Sequence, residues 1–360
     1  MWRKILQIVG VVVAMALIVA YICYASYLAR EQRSKQTVSQ MVITMEETKA
    51  EQKLSSPDVI FNQLQDDGVK ITDELIDSVD VSRILNVVSN NSYVENVDFY
   101  ITYSGVAHLE VVQHTPVVRM LNNGFNSYVT ADGTVFRSPN GAACHVPVVT
   151  GSYKPLFPSS YEGCVADYYA SLEAKENEKL AELKQEFADL ESKRSEIVSR
   201  KSELKDDKRR KLFESKEAHQ QRKVGVNAEI AKCNEELLAL KGEEAKLCKR
   251  EDIIEKRKKK LQKSYDDFMN LINFVSRVRN DKFWGAEVVQ FVASATRDGE
   301  ISLQLIPRSG DFVIEFGTLA DGEVKLARLQ QFYDKGLSRV GWGLYKTIDV
   351  RYDKQVICKK

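Results

Sequence analysis

The chain is poor in the residues that usually carry chemistry. Its four histidines, at 108, 114, 145 and 219, form no H-E-x-x-H or comparable metal-binding spacing. Its six cysteines, at 23, 144, 164, 233, 248 and 358, include no C-x-x-C pair, which argues against a thiolate metal site. A net charge of +1 over 360 residues removes the global basic footprint of a nucleic-acid-binding protein. Proline is missing between Ala166 and Tyr265, where glycine occurs only at 225 and 242, so turns are scarce there. Long apolar runs are missing too, with one exception.

That exception is Ile5 to Ala29, ILQIVGVVVAMALIVAYICYASYLA, which holds no charge. At 1.5 Å rise per residue it would make ~37 Å of helix, enough to cross a hydrocarbon core with some tilt. It exceeds the apolar core of an ordinary signal peptide, and Ser26 to Ala29 make a poor cleavage site, so a retained single-pass anchor is expected. Arg3 and Lys4 before it nearly balance Arg30, Arg33 and Lys35 after it, so flanking charge does not orient it.

After a polar linker over 30–39, Met41, Ile43 and Met45 alternate as a strand. Ser56-Pro57 starts a helix, with Ile60, Phe61 and Leu64 on its apolar face. Asp80 caps a second helix through Ile84, Leu85 and Val88. Two alternating runs, Val97 to Tyr103 and Ala107 to Val111, meet at Ser104-Gly105 as a hairpin. The order is β-α-α-β-β. From Pro116 the pattern is β-rich, with an Asp132-Gly133 hairpin turn and a strand through Val146, Val148 and Val149.

Leu180, Leu183, Phe187, Leu190, Ile197 and Leu204 then step by three and four, with Arg194 in one slot. A second such series runs from Ile230 through Leu247, Ile254 and Leu261 to Val275. The seam fades between Lys205 and Gly225, where the chain is expected to fold back as a long antiparallel coiled-coil hairpin, because the flanking β segments need their ends brought together. An intermolecular coil, and hence self-association, is the other arrangement. β character returns from Val288, with a helix over Leu326 to Leu337 and closing strands over Ile348 to Tyr352 and through Gln355 to Cys358. Alternation would place Cys144 and His145 on opposite faces of a strand, an arrangement unsuited to a thiol nucleophile. The basic runs Lys208 to Lys211 and Lys256 to Lys260 read as solvated helix faces.

The fold class is therefore α+β: an anchor over 5–29 behind a tail of residues 1–4, a first domain over 40–113, and a mixed β domain over 114–165 and 266–360. A helical insertion over 166–265 interrupts that domain. Taken together, Val112-Gln-His-Thr-Pro116-Val-Val-Arg119, Tyr128 with Asp132-Gly133 and Phe136, Asp281-Lys-Phe283-Trp284, Leu305-Ile-Pro307-Arg308 and Gly341-Trp342 resemble the bacterial cell-division family FtsQ/DivIB, most closely its Bacteroidetes members. Ile348-Asp-Val-Arg-Tyr352-Asp-Lys-Gln355-Val-Ile-Cys358 adds the family's C-terminal motif. The resemblance covers nearly everything except the long helical insertion, which departs from the family pattern.

The resemblance implies a non-enzymatic scaffold of the inner membrane, without cofactor or nucleic acid, with a cytoplasmic N-terminus and the bulk of the chain periplasmic. The β-α-α-β-β module would be a POTRA domain. The partners implied are FtsB and FtsL, other divisome proteins and membrane lipid. The binding residues implied are Arg351, Tyr352, Lys354, Gln355, Val356 and Ile357, with Asp353 completing the motif and Lys354 to Lys359 forming an edge strand. A periplasmic setting would also allow Cys144 and Cys164 to pair. The alternative is a membrane-anchored POTRA protein acting in envelope biogenesis or transport.

Overall fold

In the computed structural model, residues 14–27, 36–46, 54–122, 124–137, 143–209 and 215–360 are described. Residues 14–27 form a helix with every side chain exposed. Among the described residues no helix is long and apolar enough to cross a membrane, and the rest of the expected anchor, residues 5–13 and 28–29, lies outside them.

The first domain has the strand and helix order that its sequence pattern suggests. Strand β1 (Gln40–Met45) leads to α1 (Pro57–Asp66), then α2 (Val81–Ser89), β2 (Val94–Ile101) and β3 (Val106–Gln113). Ser56 takes the extended N-cap conformation before Pro57, and Asp80 accepts from the Arg83 amide at 3.0 Å, satisfying one of the orphan donors at the start of α2. Gly105, at φ +84°, makes the tight turn between β2 and β3. The sheet order is β1-β3-β2, with β1 parallel to β3 and β2 antiparallel to it. Ile60 and Leu64 of α1 and Ile84 and Val88 of α2 are buried in one core with Ala107, Leu109 and Val111 of β3. Val38 joins that core, and the Val38 amide donates to the Glu74 carbonyl at 2.9 Å. The end of the expected linker is thus part of the domain.

A second sheet has ten strands: β4 (Pro116–Met120), β5 (Ser127–Thr130), β6 (Thr134–Phe136), β7 (Val148–Gly151), β8 (Gly163–Cys164), β9 (Val288–Ala295), β10 (Ile301–Pro307), β11 (Val313–Thr318), β12 (Thr347–Asp349) and β13 (Ile357–Lys359). Their spatial order is β13-β12-β11-β10-β9-β7-β4-β5-β6-β8. The two sheets share a core. His114 stacks on Phe136 at 5.5 Å, and Phe136 stacks on Tyr128 at 5.8 Å. Burial lowers the pKa of His114, against the pull of Glu95 and Asp132, so this junction favours the neutral ring. Residues 143–147 are not a strand, so alternation does not govern Cys144 and His145. Cys144 is buried beside Tyr128, whose hydroxyl accepts from the Cys144 amide at 3.1 Å. None of the six cysteines is in a disulfide.

Strands β7 and β9 are parallel neighbours, although the whole helical excursion separates them in sequence. At Gly151, φ +106°, a Cβ would stand 2.2 Å from the Ala293 carbonyl oxygen, so only glycine allows this approach.

The excursion consists chiefly of α3 (Val165–Asp207) and α4 (Lys216–Asn280). Its partners run in opposite directions along the two helices. Lys258 donates to Asn177 at 2.6 Å, Arg250 pairs with Glu186 at 2.7 Å, Arg194 approaches Glu244 at 3.9 Å, and Arg200 bonds Glu236. Leu183, Leu247 and Ile254 form the buried seam between them, flanked by Leu180, Phe187 and Leu190. The fold-back therefore occurs within one chain, and the 43 residues of α3 make an arm about 65 Å long. The arm with its short leading segment, Lys154–Pro158 and Cys164–Leu271, forms one compact unit, and the rest of the chain forms another. From Ile272 onward α4 belongs to the sheet-bearing unit, where Phe274 packs against Phe316 at 5.0 Å and Phe291 at 6.3 Å.

Two outcomes follow from this arrangement. Gly151→Ala should destabilise the sheet-bearing unit by about 1–3 kcal/mol, because the added methyl must push β7 from β9; a denaturant midpoint equal to that of the unaltered chain would contradict the close approach. In the portion that follows the expected anchor, removing residues 174–256 and joining the ends with a short linker should leave a folded monomer that unfolds cooperatively, as followed by ultracentrifugation and circular dichroism. Aggregation of that protein would mean that the arm is needed for the fold.

Candidate functional site

Between β11 and β12 the chain forms α6 (Gly322–Phe332), following the short α5 (Trp284–Glu287) earlier in the chain. A single π-type turn over Tyr333–Leu337 and a last short helix, α7 (Ser338–Val340), continue from α6. Leu326 and Leu329 bury one face of α6, and Leu337 is buried in the turn. Tyr333 lies at the centre of an aromatic cluster, with Trp284 at 5.4 Å, Phe283 at 5.6 Å, Phe312 at 6.2 Å and Trp342 at 5.3 Å, all edge-on. Its hydroxyl donates to Glu287 at 3.1 Å, and burial together with the Glu287 carboxylate raises its pKa. The cluster ties the segment ahead of β12 to α5 and to the strand next to it.

β12 pairs parallel with β11 and antiparallel with β13, and β13 is the last strand at that end of the sheet. Ile357 lies opposite Asp349 and Lys359 opposite Thr347. Both closing strands are shorter than their sequence pattern suggests. Arg351 and Tyr352 lie outside β12, and Lys354, Gln355 and Val356 lie outside β13. Two local causes end the strands. Lys354 sits at φ +60°, a left-handed conformation that a strand cannot contain. Asp349 also bends the chain back, accepting from the Arg351 amide at 3.1 Å. Of the six expected binding residues, Arg351, Tyr352, Lys354 and Gln355 therefore share the exposed connection between β12 and β13, Val356 approaches the strand, and Ile357 opens it.

This connection is held at two points. Arg351 donates to Asp349 through Nε at 2.9 Å and Nη2 at 2.6 Å, a bidentate pair. Asp349 is almost wholly buried, with 3% of its side chain exposed, while 47% of Arg351 remains accessible. Burial alone would raise the Asp349 pKa, but hydrogen bonds from the Arg351 side chain and amide, with the charges of Arg351 and Lys359, outweigh it and hold the carboxyl below its ordinary range. The same hydrogen bonding pushes the Arg351 pKa further up. Gly317 of β11, at φ +74°, gives Arg351 its place: a Cβ there would meet Arg351 Cγ at 2.7 Å. The second hold is Arg328 of α6. Its Nη1 donates to the Tyr352 carbonyl and, at 3.4 Å, to the Val350 carbonyl, and its Nη2 reaches Asp353 at 3.4 Å.

The outer surface of this region is apolar and cationic. Tyr352, Trp342, Leu344 and Val340 are exposed, and so are Lys346, Lys354, Lys359 and Lys360. Such a surface can pair backbone groups with an added strand and cover side chains of the incoming chain. Sequence reasoning missed Asp349, Gly317 and Arg328. The first had a readable signal, since Asp349 and Arg351 stand two apart and share one face of an extended segment. The other two had none, because their partners lie far away in sequence.

Arg351→Ala should lower stability by about 1–3 kcal/mol at neutral pH, because it leaves a buried carboxylate short of donors, a cost softened by solvent at the half-exposed guanidinium. A carboxyl with a depressed folded-state pKa stabilises above its unfolded value and loses that contribution as pH falls through the folded one. The difference between Arg351→Ala and the unaltered chain should therefore shrink on acidification below the ordinary carboxylate range. Urea titrations across pH check this, and a pH-independent difference would contradict the pairing.

Residues 250–359, which include this site, match the family model described as FtsQ/DivIB, C-terminal related. No curated protein matches the chain. The matched segment begins within α4 and runs through the edge strand, so it contains the aromatic cluster, the Asp349–Arg351 pair and Tyr352. By this match residues 250–359 form a domain related to the C-terminal part of FtsQ/DivIB proteins.

Proposed function

We propose that the protein is a divisome scaffold that binds the FtsB–FtsL pair through β13 and the Arg351–Lys354 turn, linking early and late division proteins to support septal peptidoglycan synthesis. The relation of residues 250–359 to the FtsQ/DivIB C-terminal domain suggests a cell-division role, and a scaffold without enzymatic activity is the reading taken here. The observation that carries the finer reading is the end position of β13 in the ten-stranded sheet, beside an exposed tyrosine, within the matched domain. An edge strand offers unpaired backbone donors and acceptors, and an aromatic side chain next to it is a typical hot spot. The exposed lysines favour a partner segment that bears carboxylates.

In this reading Ile5 to Ala29 anchors the chain once in the inner membrane, with residues 1–4 cytoplasmic and the remainder periplasmic. The length and apolarity of that run support it. The β-α-α-β-β domain acts as a POTRA module for other divisome proteins.

Tyr352→Glu, and separately deletion of residues 354–360, should reduce FtsB–FtsL binding at least about 30-fold, the equivalent of a hot spot of about 2 kcal/mol. Biolayer interferometry on the purified periplasmic portion measures this, and complementation of division reports it in cells. Survival of both binding and division in both variants would remove the edge from the reading.

A further inference from the structure

We propose that Arg328 is the positioning residue of the binding turn: from α6 it fixes the backbone of Tyr352 so that the ring is presented ready-placed to the partner. This rests on the reading of the β12–β13 connection as the docking site. Residues Arg351 to Gln355 are all exposed, and Tyr352 is 48% accessible. Exposed connections ordinarily sample many conformations, and ordering one on binding costs affinity.

The hydrogen bonds here oppose that sampling. The Val350 amide donates to the Glu315 carbonyl at 3.1 Å, and Arg351 is tied to Asp349, so the start of the connection is held by the sheet. Beyond that point the hold comes from Arg328. Its guanidinium bonds the Tyr352 carbonyl, reaches the Val350 carbonyl at 3.4 Å, and meets the Asp353 carboxylate at 3.4 Å. Its side chain is only 17% exposed, whereas that of Asp353 is 91% exposed, so the anchored end is the arginine. Leu326 and Leu329 fix α6 to the core on either side of it. A planar fork can serve two carbonyls and a carboxylate at once; a lysine ammonium lacks that fixed geometry. The roles at Tyr352 are thus divided: its carbonyl is committed to Arg328, and about half of the residue's surface stays accessible.

The test uses the full periplasmic portion with Arg328→Ala, Arg328→Lys and Asp353→Asn, read by amide hydrogen exchange, thermal melting and affinity for purified FtsB–FtsL. In Arg328→Ala, amides of segment 351–356 should exchange about tenfold faster while those of β9, β10 and β11 keep their rates, and affinity should fall about tenfold, the consequence of a docking conformation populated about a tenth of the time. Arg328→Lys should restore only part of both. Asp353→Asn, whose altered side chain is on the surface, should raise exchange in the same segment by a smaller factor and serves as the readout if Arg328→Ala lowers the melting temperature as well. Unchanged exchange at 351–356 in both Arg328→Ala and Asp353→Asn would overturn the positioning role, whatever binding does. Faster exchange with unaltered affinity would overturn it too, provided that Tyr352→Glu abolishes binding. If Tyr352→Glu leaves binding intact, the docking site itself is misplaced, and Arg328 then positions no binding residue.

Discussion

The close parallel pairing of β7 with β9 is the constraint on which the rest of the architecture depends. After β7 ends at Gly151 the chain adds the short β8 at the far end of the sheet, runs through two long helices, and returns at Val288 as the strand beside β7. The missing Cβ at Gly151 allows the Ala293 carbonyl to come close. A sheet continuing across that gap requires the excursion to bring its own two ends together. An intermolecular coil would not do this by itself, whereas two helices paired antiparallel within the chain do so by construction. The ion pairs along the arm select that register, because each joins a residue climbing α3 to one descending α4. Individually such exposed pairs are weak, so the buried stripe of Leu183, Leu247 and Ile254 supplies the attraction and the charges choose the alignment.

The last turns of α4 belong to a different environment from the arm. Phe274, Val275 and Val278 are buried, and Phe274 meets the aromatic rings of β9 and β11. The helix therefore ends seated on the sheet it is about to re-enter. The family match starts at residue 250, inside this same helix, and extends through β13. The descending helix of the arm and the C-terminal half of the sheet are thus consecutive parts of one matched segment.

Much of this was legible in the sequence because it rests on local signals. Ser56-Pro57, Asp80 and the glycines at 105 and 133 act within a few residues of themselves, and the structure places two caps and two turns there. The alternating stretches became strands, and the three-and-four spacing became paired helices. What could not be read depends on pairs far apart in the chain. Val38 stands among polar neighbours in sequence, yet it packs in the core of the first domain, and its amide bonds the Glu74 carbonyl. Lys354 showed nothing to mark its left-handed backbone, so the closing strand was expected to be twice its length. Arg328 and Gly317 sit on elements whose own pattern is fully accounted for by helix and strand, and their further roles are visible only once the C-terminal turn lies against them.

The shortness of β13 has a physical use. A long, flat, apolar edge strand would pair with any exposed edge, including that of another copy of the chain. Here the strand spans only Ile357 to Lys359, a left-handed Lys354 closes it off on one side, and Lys359 and Lys360 place charge at its other end. Backbone pairing alone over so few residues would be weak and unselective. In the proposed docking, affinity then comes from side chains outside the strand, and these have to be held in place to contribute. Tyr352, its carbonyl tethered to α6 and about half of its surface accessible, meets that requirement. In the proposed docking, an edge kept too short to aggregate and a tyrosine fixed beside it are two halves of one solution, in which selectivity resides in the turn and the strand supplies alignment.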